Sequence, residues 1–213
     1  EHASAVESNA SELNLEGAAT KRLTIVQSDL SVARFAGSTV AEVTMVQSAL
    51  HDCNLRDAKL FKTTIVKADL SSYNLARASL QQVILVGSSL AGLDLRGQRI
   101  RACQLIDARM AGTRLEGADL AGSNFKGAHL EEARFDRANA QNTLFVEARA
   151  AKATFDKADL SQAIFVDADL TGARLDHATL EEADFSEVAL QGVYLSAVNG
   201  SRASFERADL TGA

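Results

Sequence analysis

The sequence predicts an all-β solenoid, and three observations carry the prediction. Large apolar residues recur every five positions, small residues recur two places before them, and glycines fall almost entirely two places after them. In the stretch Leu115 to Phe135, LEGADLAGSNFKGAHLEEARF, the large residues stand at 115, 120, 125, 130 and 135. A period of five fits neither a helix, which repeats near 3.6, nor a plain strand, which repeats at about 2. Such a fixed internal period marks a repeat architecture.

Of the forty positions numbered in fives from 15 to 210, thirty-six hold Leu, Phe, Ile, Met or Val, the exceptions being Thr20, Ala140, Ala150 and Gly200. Calling the large residue i, the column at i−2 runs from 13 to 213 and holds twenty-one Ala and ten Ser, Thr or Cys among forty-one residues. Positions i−2, i−1 and i then alternate in, out, in, which is a short extended segment. The two residues that follow form a corner. Twelve of the thirteen glycines lie at i+2, the third residue of a tight turn, where a type II turn needs positive φ. A corner every five residues closes the chain into a coil.

These features resemble the pentapeptide-repeat family, whose consensus A(D/N)LXX stands here as Ala68-Asp69-Leu70, Ala118-Asp119-Leu120, Ala158-Asp159-Leu160, Ala168-Asp169-Leu170 and Ala208-Asp209-Leu210. The resemblance covers residues 13 to 213 without a slip of phase. It implies a right-handed, quadrilateral parallel β-helix with i and i−2 inside and about ten coils of roughly twenty residues, a rod roughly 50 Å long at the spacing of β-strands. Residues 13–213 are read as one domain, and residues 1–12, where only Ala5 and Ala10 keep the beat, as a tail or N-terminal cap. A coil buries about four large side chains, worth roughly 1.5–3 kcal/mol each. Ordering its backbone costs about 1–2 kcal/mol per residue, so stability has to come from stacking coil on coil.

Composition bounds the remaining classes. The chain is 46% apolar and 23% charged, with no Trp or Pro and a net charge of −6. No apolar run is long enough to cross a bilayer, and nothing resembles a signal peptide. A cytoplasmic location is expected, with a secreted effector as the other setting. The chain starts at Glu1 and stops inside a repeat, and the expectation is a fragment of a longer polypeptide or ends covered by a partner. Cys53 and Cys103 both occupy i−2 and stand fifty residues apart, roughly 12 Å of axial rise. That is too far for a disulfide, so both are expected as small buried residues.

Catalysis finds no foothold. Among the histidines, His51 and His129 lie on one side but about 19 Å apart, too far for one metal site. His177 stands at a corner beside Asp176 and is read as a surface pair. The carboxylates Asp119, Asp159, Asp169 and Asp209 belong to the repeat consensus. No enzyme activity, cofactor or metal is expected, and a rod packed with Leu and Phe has little room for a pocket.

Function is therefore sought in the outward positions. One i+1 column reads Val26, Val46, Val66, Val86, Ile106, Lys126, Val146 and Val166 at steps of twenty, which independently supports four faces per coil. The adjoining i−1 positions add Ile84, Leu144 and Ile164, with Gln104 and Asn124 between them. β-Branched residues favour extended backbone in any case. Apolar residues at both i−1 and i+1 exceed that need, so the ridge is the candidate contact surface, divided by Asn124 and Lys126. Its partner is expected to be another protein, a second copy, or a missing part of the polypeptide.

The alternative reading is an acidic mimic of duplex DNA that binds a type II topoisomerase, as some pentapeptide-repeat relatives do. Residues 1–106 carry eleven Lys/Arg against ten Asp/Glu, and residues 107–213 eleven against eighteen. The acids are interleaved with Arg134, Arg137, Arg149 and Lys152, so no single-sign stripe appears. Direct nucleic-acid binding lacks a basic patch. The reading favoured is a rigid scaffold or adaptor for protein–protein interaction, of the kind found in bacterial effector- or secretion-associated relatives.

A few positions break the pattern. Tyr73 and Gln98 occupy i−2 where small residues are the rule, so the core is expected to bulge or these side chains to swing outward. Ala140 and Ala150 are expected to leave the core thin, with Phe residues nearby compensating, and Gly200 to mark a local loosening.

Overall fold

A computed structural model of the chain describes residues 3–6, 9, 12–28, 31–46 and 52–213. Leu30, Leu50, His2 and His51 lie outside these residues. The architecture is the right-handed quadrilateral β-helix expected, all-β and parallel throughout. Among the described residues, nine short strands form two sheets: β1 (Ala3–Val6), β3 (Leu23–Val26), β5 (Thr44–Val46) and β7 (Thr64–Val66) in one, and β2 (Ala19–Lys21), β4 (Thr39–Ala41), β6 (Lys59–Phe61), β8 (Ser79–Gln81) and β9 (Arg99–Arg101) in the other. Beyond them, single parallel bridges continue both sheets and two further ladders, always in a register of twenty residues, as in Arg114 with Arg134 or Ile164 with Asp184. We call the side holding β3, β5 and β7 face A, and the following sides B, C and D, so that D holds β4 and β6. Ala3–Val6, within the expected tail or cap, pairs with β3 in that same register.

The corners follow from the i+2 residue. Gly17 has φ +65°, and the amide of Ala18 donates to the Leu15 carbonyl at 3.0 Å, closing a type II turn. Many non-glycine residues take the same left-handed conformation at i+2, Arg137 at +59° among them. The consensus Asp or Asn at i−1 supports each corner: Asp169 Oδ1 accepts the Thr171 amide at 2.9 Å and Asp159 Oδ1 the Ser161 amide at 3.1 Å. These carboxylates are Asx caps, which is why the repeat prefers them.

Inside, i and i−2 are buried as expected except in the end coils, Leu210 being 41% exposed; Cys53 and Cys103 are buried and belong to no disulfide. Inward hydroxyls such as those of Thr113 and Ser123 find carbonyl partners in the coil below, Thr113 Oγ1 donating to Leu90 at 2.9 Å and Ser123 Oγ to Ile100 at 2.8 Å, whereas Ser38 Oγ is buried without a partner. A buried hydroxyl left unpaired would cost about 1–3 kcal/mol. Gln98, 6% exposed, obeys the same rule at Nε2, which donates to Leu75 at 2.8 Å, while its Oε1 is buried without a partner. Tyr73 also points inward and is buried. Of the two outcomes expected, the coil gives way: among the described residues no backbone bond joins Asp94 to Tyr73 or to Leu75, where one coil later the equivalents measure 2.9 and 2.8 Å.

The core is not thin at Ala140 and Ala150, which are fully buried. On face A, Phe125, Phe145, Phe165, Phe185 and Phe205 form a stacked ladder with centroids 4.6–5.2 Å apart, and on face C Phe135 stacks on Phe155 at 4.7 Å. Where phenylalanines enter from both sides, alanine on the intervening sides is what fits. At Gly200 the corner bond from Ala203 persists at 3.0 Å, but the preceding corner has no bond from Val198 to Leu195, and Leu195 and Phe205 are only half-buried, so the loosening lies in both packing and backbone.

Candidate functional site: the outer surface of face A

The ridge residues do stack on one side. β3, β5 and β7 place Val26, Val46 and Val66 in register, and bridges from Thr64 through Ile84, Gln104, Asn124 and Leu144 to Ile164 carry the same face onward. Val86, Ile106, Val146 and Val166 stand at the equivalent i+1 positions in turns. Here lies the local logic: with Thr at i−1 and Val at i+1 the backbone runs on as strand past i, and from Val86 onward the corner tightens.

Most of the ridge is half-buried, and Ile84 is 37% exposed. Neighbours stacked about 4.8 Å apart cover one another's flanks and leave their outer edges in solvent. The side chain of Val46 is outside the described residues. The midpoint is polar: Asn124 Nδ2 donates to Gln104 Oε1 at 3.1 Å, and Lys126 pairs with Glu147 at 3.0 Å. The ridge is thus two apolar patches separated by an amide pair and an ion pair. Behind it, the stacked phenylalanine ladder makes the C-terminal patch a stiff backing for any contact.

The residues weighed for catalysis serve structure. Asp176 is buried, pairs with Arg174 at 3.1 Å and accepts the Ser196 amide at 3.1 Å. His177 beside it is exposed in a corner with φ +61°, so the two make no dyad. His129 lies 3.8 Å from Glu131 at the surface. Among the described residues, no group of three His, Cys, Asp or Glu could hold a metal ion. A shallow corner groove of about 570 Å³ beside Glu116, Arg134, Asp156 and Arg174 mixes both signs of charge.

Among the described residues, the exposed large apolar side chains outside the ridge are Leu210, 41% exposed on the last beat, and, at outward positions, Val32, 53% exposed at an i+2 corner, and Tyr194, 58% exposed, whose ring lies 5.5 Å from the Arg174 guanidinium. Reading the outward columns by face and not by chain half is the signal that would have found the latter two.

Comparison with curated protein sequences returns no match. Among solved structures, the chain is similar to HetL, a pentapeptide repeat protein involved in heterocyst differentiation regulation in the cyanobacterium Nostoc sp. strain PCC 7120, at 25% identity over 94% of this chain and 84% of that one, with a TM-score of 0.60. It also aligns with a trypsin-treated variant of QnrB1, a plasmid-mediated fluoroquinolone resistance protein, at 19% identity over 100% of this chain and 90% of that one, with a TM-score of 0.36. The model of the family described as pentapeptide repeats, in eight copies, matches residues 103–139, 129–165, 143–181, 163–199 and 180–213. With its matched repeats spanning 103–213, more than half of its length, the chain belongs to the pentapeptide-repeat family.

Proposed function

We propose that the chain is a non-catalytic, rigid scaffold or adaptor that docks another protein on face A, along the two patches Val26 to Ile106 and Leu144 to Val166. The observation that carries this reading is the i+1 column of Val and Ile on that one face, joined at i−1 by Ile84, Leu144 and Ile164. Exposed apolar patches are what partner recognition uses, and a surface fixed by a solid core loses little conformational freedom on binding. The involvement of HetL in regulation supports a role exerted by contact and not by chemistry. Among the described residues no helix is long and apolar enough to cross a membrane.

The test is affinity capture from a source lysate with the parent chain and a Val66→Glu, Val86→Glu variant, with circular dichroism as a control for folding. The expected result is a defined protein retained by the parent and lost with the variant, then reproduced with purified components. Equal capture by a folded variant would sink the assignment to face A. A supercoiling assay with a type II topoisomerase serves as a control, in which the chain is expected to leave the enzyme unaffected.

A further inference from the structure

Face D carries the largest reversal of charge along the rod; face A, which shares a corner with it, reverses less, from five Lys/Arg against two Asp/Glu to three against seven. Its outward columns are positions 16, 17, 19, 21 and 22 and their equivalents at steps of twenty. From 16 to 102 these columns hold nine Lys/Arg and three Asp/Glu, and from 116 to 202 they hold three and eight. Face C, counted the same way, stands within one charge of neutral in both halves, and face B is negative in both.

We infer that face D is a self-complementary surface on which two copies of this chain pack side by side and antiparallel. A two-fold axis lying in the interface, across the rod between the coil of Arg99 and the coil of Asp119, sets each column against its own copy running the other way. Along the central column Arg99 then meets Asp119 of the second copy, and Lys59 meets Asp159. Ser79 falls opposite Asn139, and Thr39 opposite Thr179. In the neighbouring column Arg56 meets Asp156 and Arg96 meets Glu116.

Each match is a consequence of spacing. Lys59 and Asp159 stand one hundred residues apart, Arg99 and Asp119 twenty, and both pairs are centred on the same level of the rod. Within a single copy Lys59 and Asp159 are about 24 Å apart and screened from each other.

The central column is available for these contacts, whereas in the neighbouring column Arg96 and Glu116 also keep partners in their own copy, Asp94 at 2.6 Å and Arg134 at 3.3 Å. Among the described residues Lys59 and Arg99 make no ion pair, and Asp159 is held only by hydrogen bonds from Ser161 and Gln141. Asp119 pairs with its own Arg101 only at 3.6 Å. Like charges do meet in the corner columns, Arg77 against Arg137, Glu42 against Glu182 and Arg22 against Arg202. There Arg77, Glu42, Glu182 and Arg202 already hold partners in their own copy, at 2.6, 3.7 and 2.6 Å. A parallel arrangement would set the basic half on the basic half, and electrostatics rejects it.

The axis keeps face A of both copies on the same side, so the dimer presents two ridges abreast.

The test is the solution mass by light scattering and sedimentation at about 50 and 500 mM salt, read alongside circular dichroism. The parent chain is expected to dimerise at low salt, with Kd rising at least about tenfold at high salt. Lys59→Asp, Arg99→Asp and, separately, Asp119→Lys, Asp159→Lys are each expected to be monomeric. An equimolar mixture of the two is expected to restore a dimer, as is the chain carrying all four changes. A monomeric parent, or a dimer indifferent to either reversal, would overturn the proposal. So would retention of duplex DNA by a parent that stays monomeric, since it would assign the basic half to nucleic acid. The Val66→Glu, Val86→Glu variant should dimerise like the parent, which separates a failure on face D from a failure on face A.

Discussion

Phe145 meets Phe155 edge-on across the rod, with centroids 6.0 Å apart and planes at 87°, and meets Phe135 in the same way at 5.8 Å and 90°. Ala140 and Ala150 lie between these rings in sequence and are fully buried, so rings from opposite sides occupy the volume that leucines fill elsewhere. Phe145→Ala should therefore cost about 3–5 kcal/mol. Ala150→Leu should also destabilise, by about 1–3 kcal/mol, because no void awaits the larger side chain. Chemical denaturation of both variants checks this. A neutral Ala150→Leu would mean that the core is loose there.

Tyr73 opens the ladder, and the opening has a dynamic signature. The amides of Asp94 and Leu75 lack the intercoil bonds that Arg114 and Leu95 make one coil later. Exposure to solvent follows local loss of hydrogen bonding. Hydrogen exchange is expected to be faster at Asp94 and Leu75 than at Arg114 and Leu95, by about tenfold or more. Tyr73→Ala should narrow the difference, and equal protection at all four sites in the parent chain would refute the gap.

Most of the fold was legible because the period is written at every coil. Positions i and i−2 are the core, and i+2 the left-handed corner, as the large residues and glycines foretold. What the sequence concealed was volume traded between sides. Ala140 reads as a deficit until Phe135 and Phe145 are seen to face it from opposite walls. Tyr73 left two outcomes open, since a column of names does not say whether backbone or side chain yields. The ridge was legible as a column because β-branched residues repeat at twenty. The polarity of face D was not, because charge summed over a chain half mixes four faces, and the pairing of Lys59 with Asp159 appears only when one face is read alone.

Cys103 supplies an alkaline prediction. Burial raises its thiol to about 11 from an ordinary value near 9. The folded chain thus holds the proton where the unfolded chain releases it. Its contribution is fully present below about pH 9 and is lost as pH rises through about 11. The loss amounts to about 2–3 kcal/mol at about 1.4 kcal/mol per unit. Burial pushes the Tyr73 hydroxyl upward too, which extends the decline. Denaturant titrations from pH 8 to about 11 should show a shallower fall for Cys103→Ser than for the parent chain. Identical slopes would remove Cys103 as a cause.

Val32 occupies an i+2 corner with φ +59°, a conformation that a β-branched residue adopts only under strain, and its side chain is 53% exposed. The left-handed backbone costs about 1–2 kcal/mol for a residue with Cβ. Little packing is lost by removing this side chain, while glycine adds about 0.5–1 kcal/mol of chain entropy to the unfolded state. Val32→Gly should therefore stabilise the chain slightly, raising Tm by about 1–4 °C. The reverse change isolates the cause. At Gly117, φ is +68° and no atom lies within 4 Å of where a Cβ would stand, so Gly117→Val meets backbone strain without a clash. It should lower Tm by a similar amount. Should Val32→Gly lower Tm instead, the valine side chain contributes contacts that outweigh its backbone, and the corner is held by more than its turn.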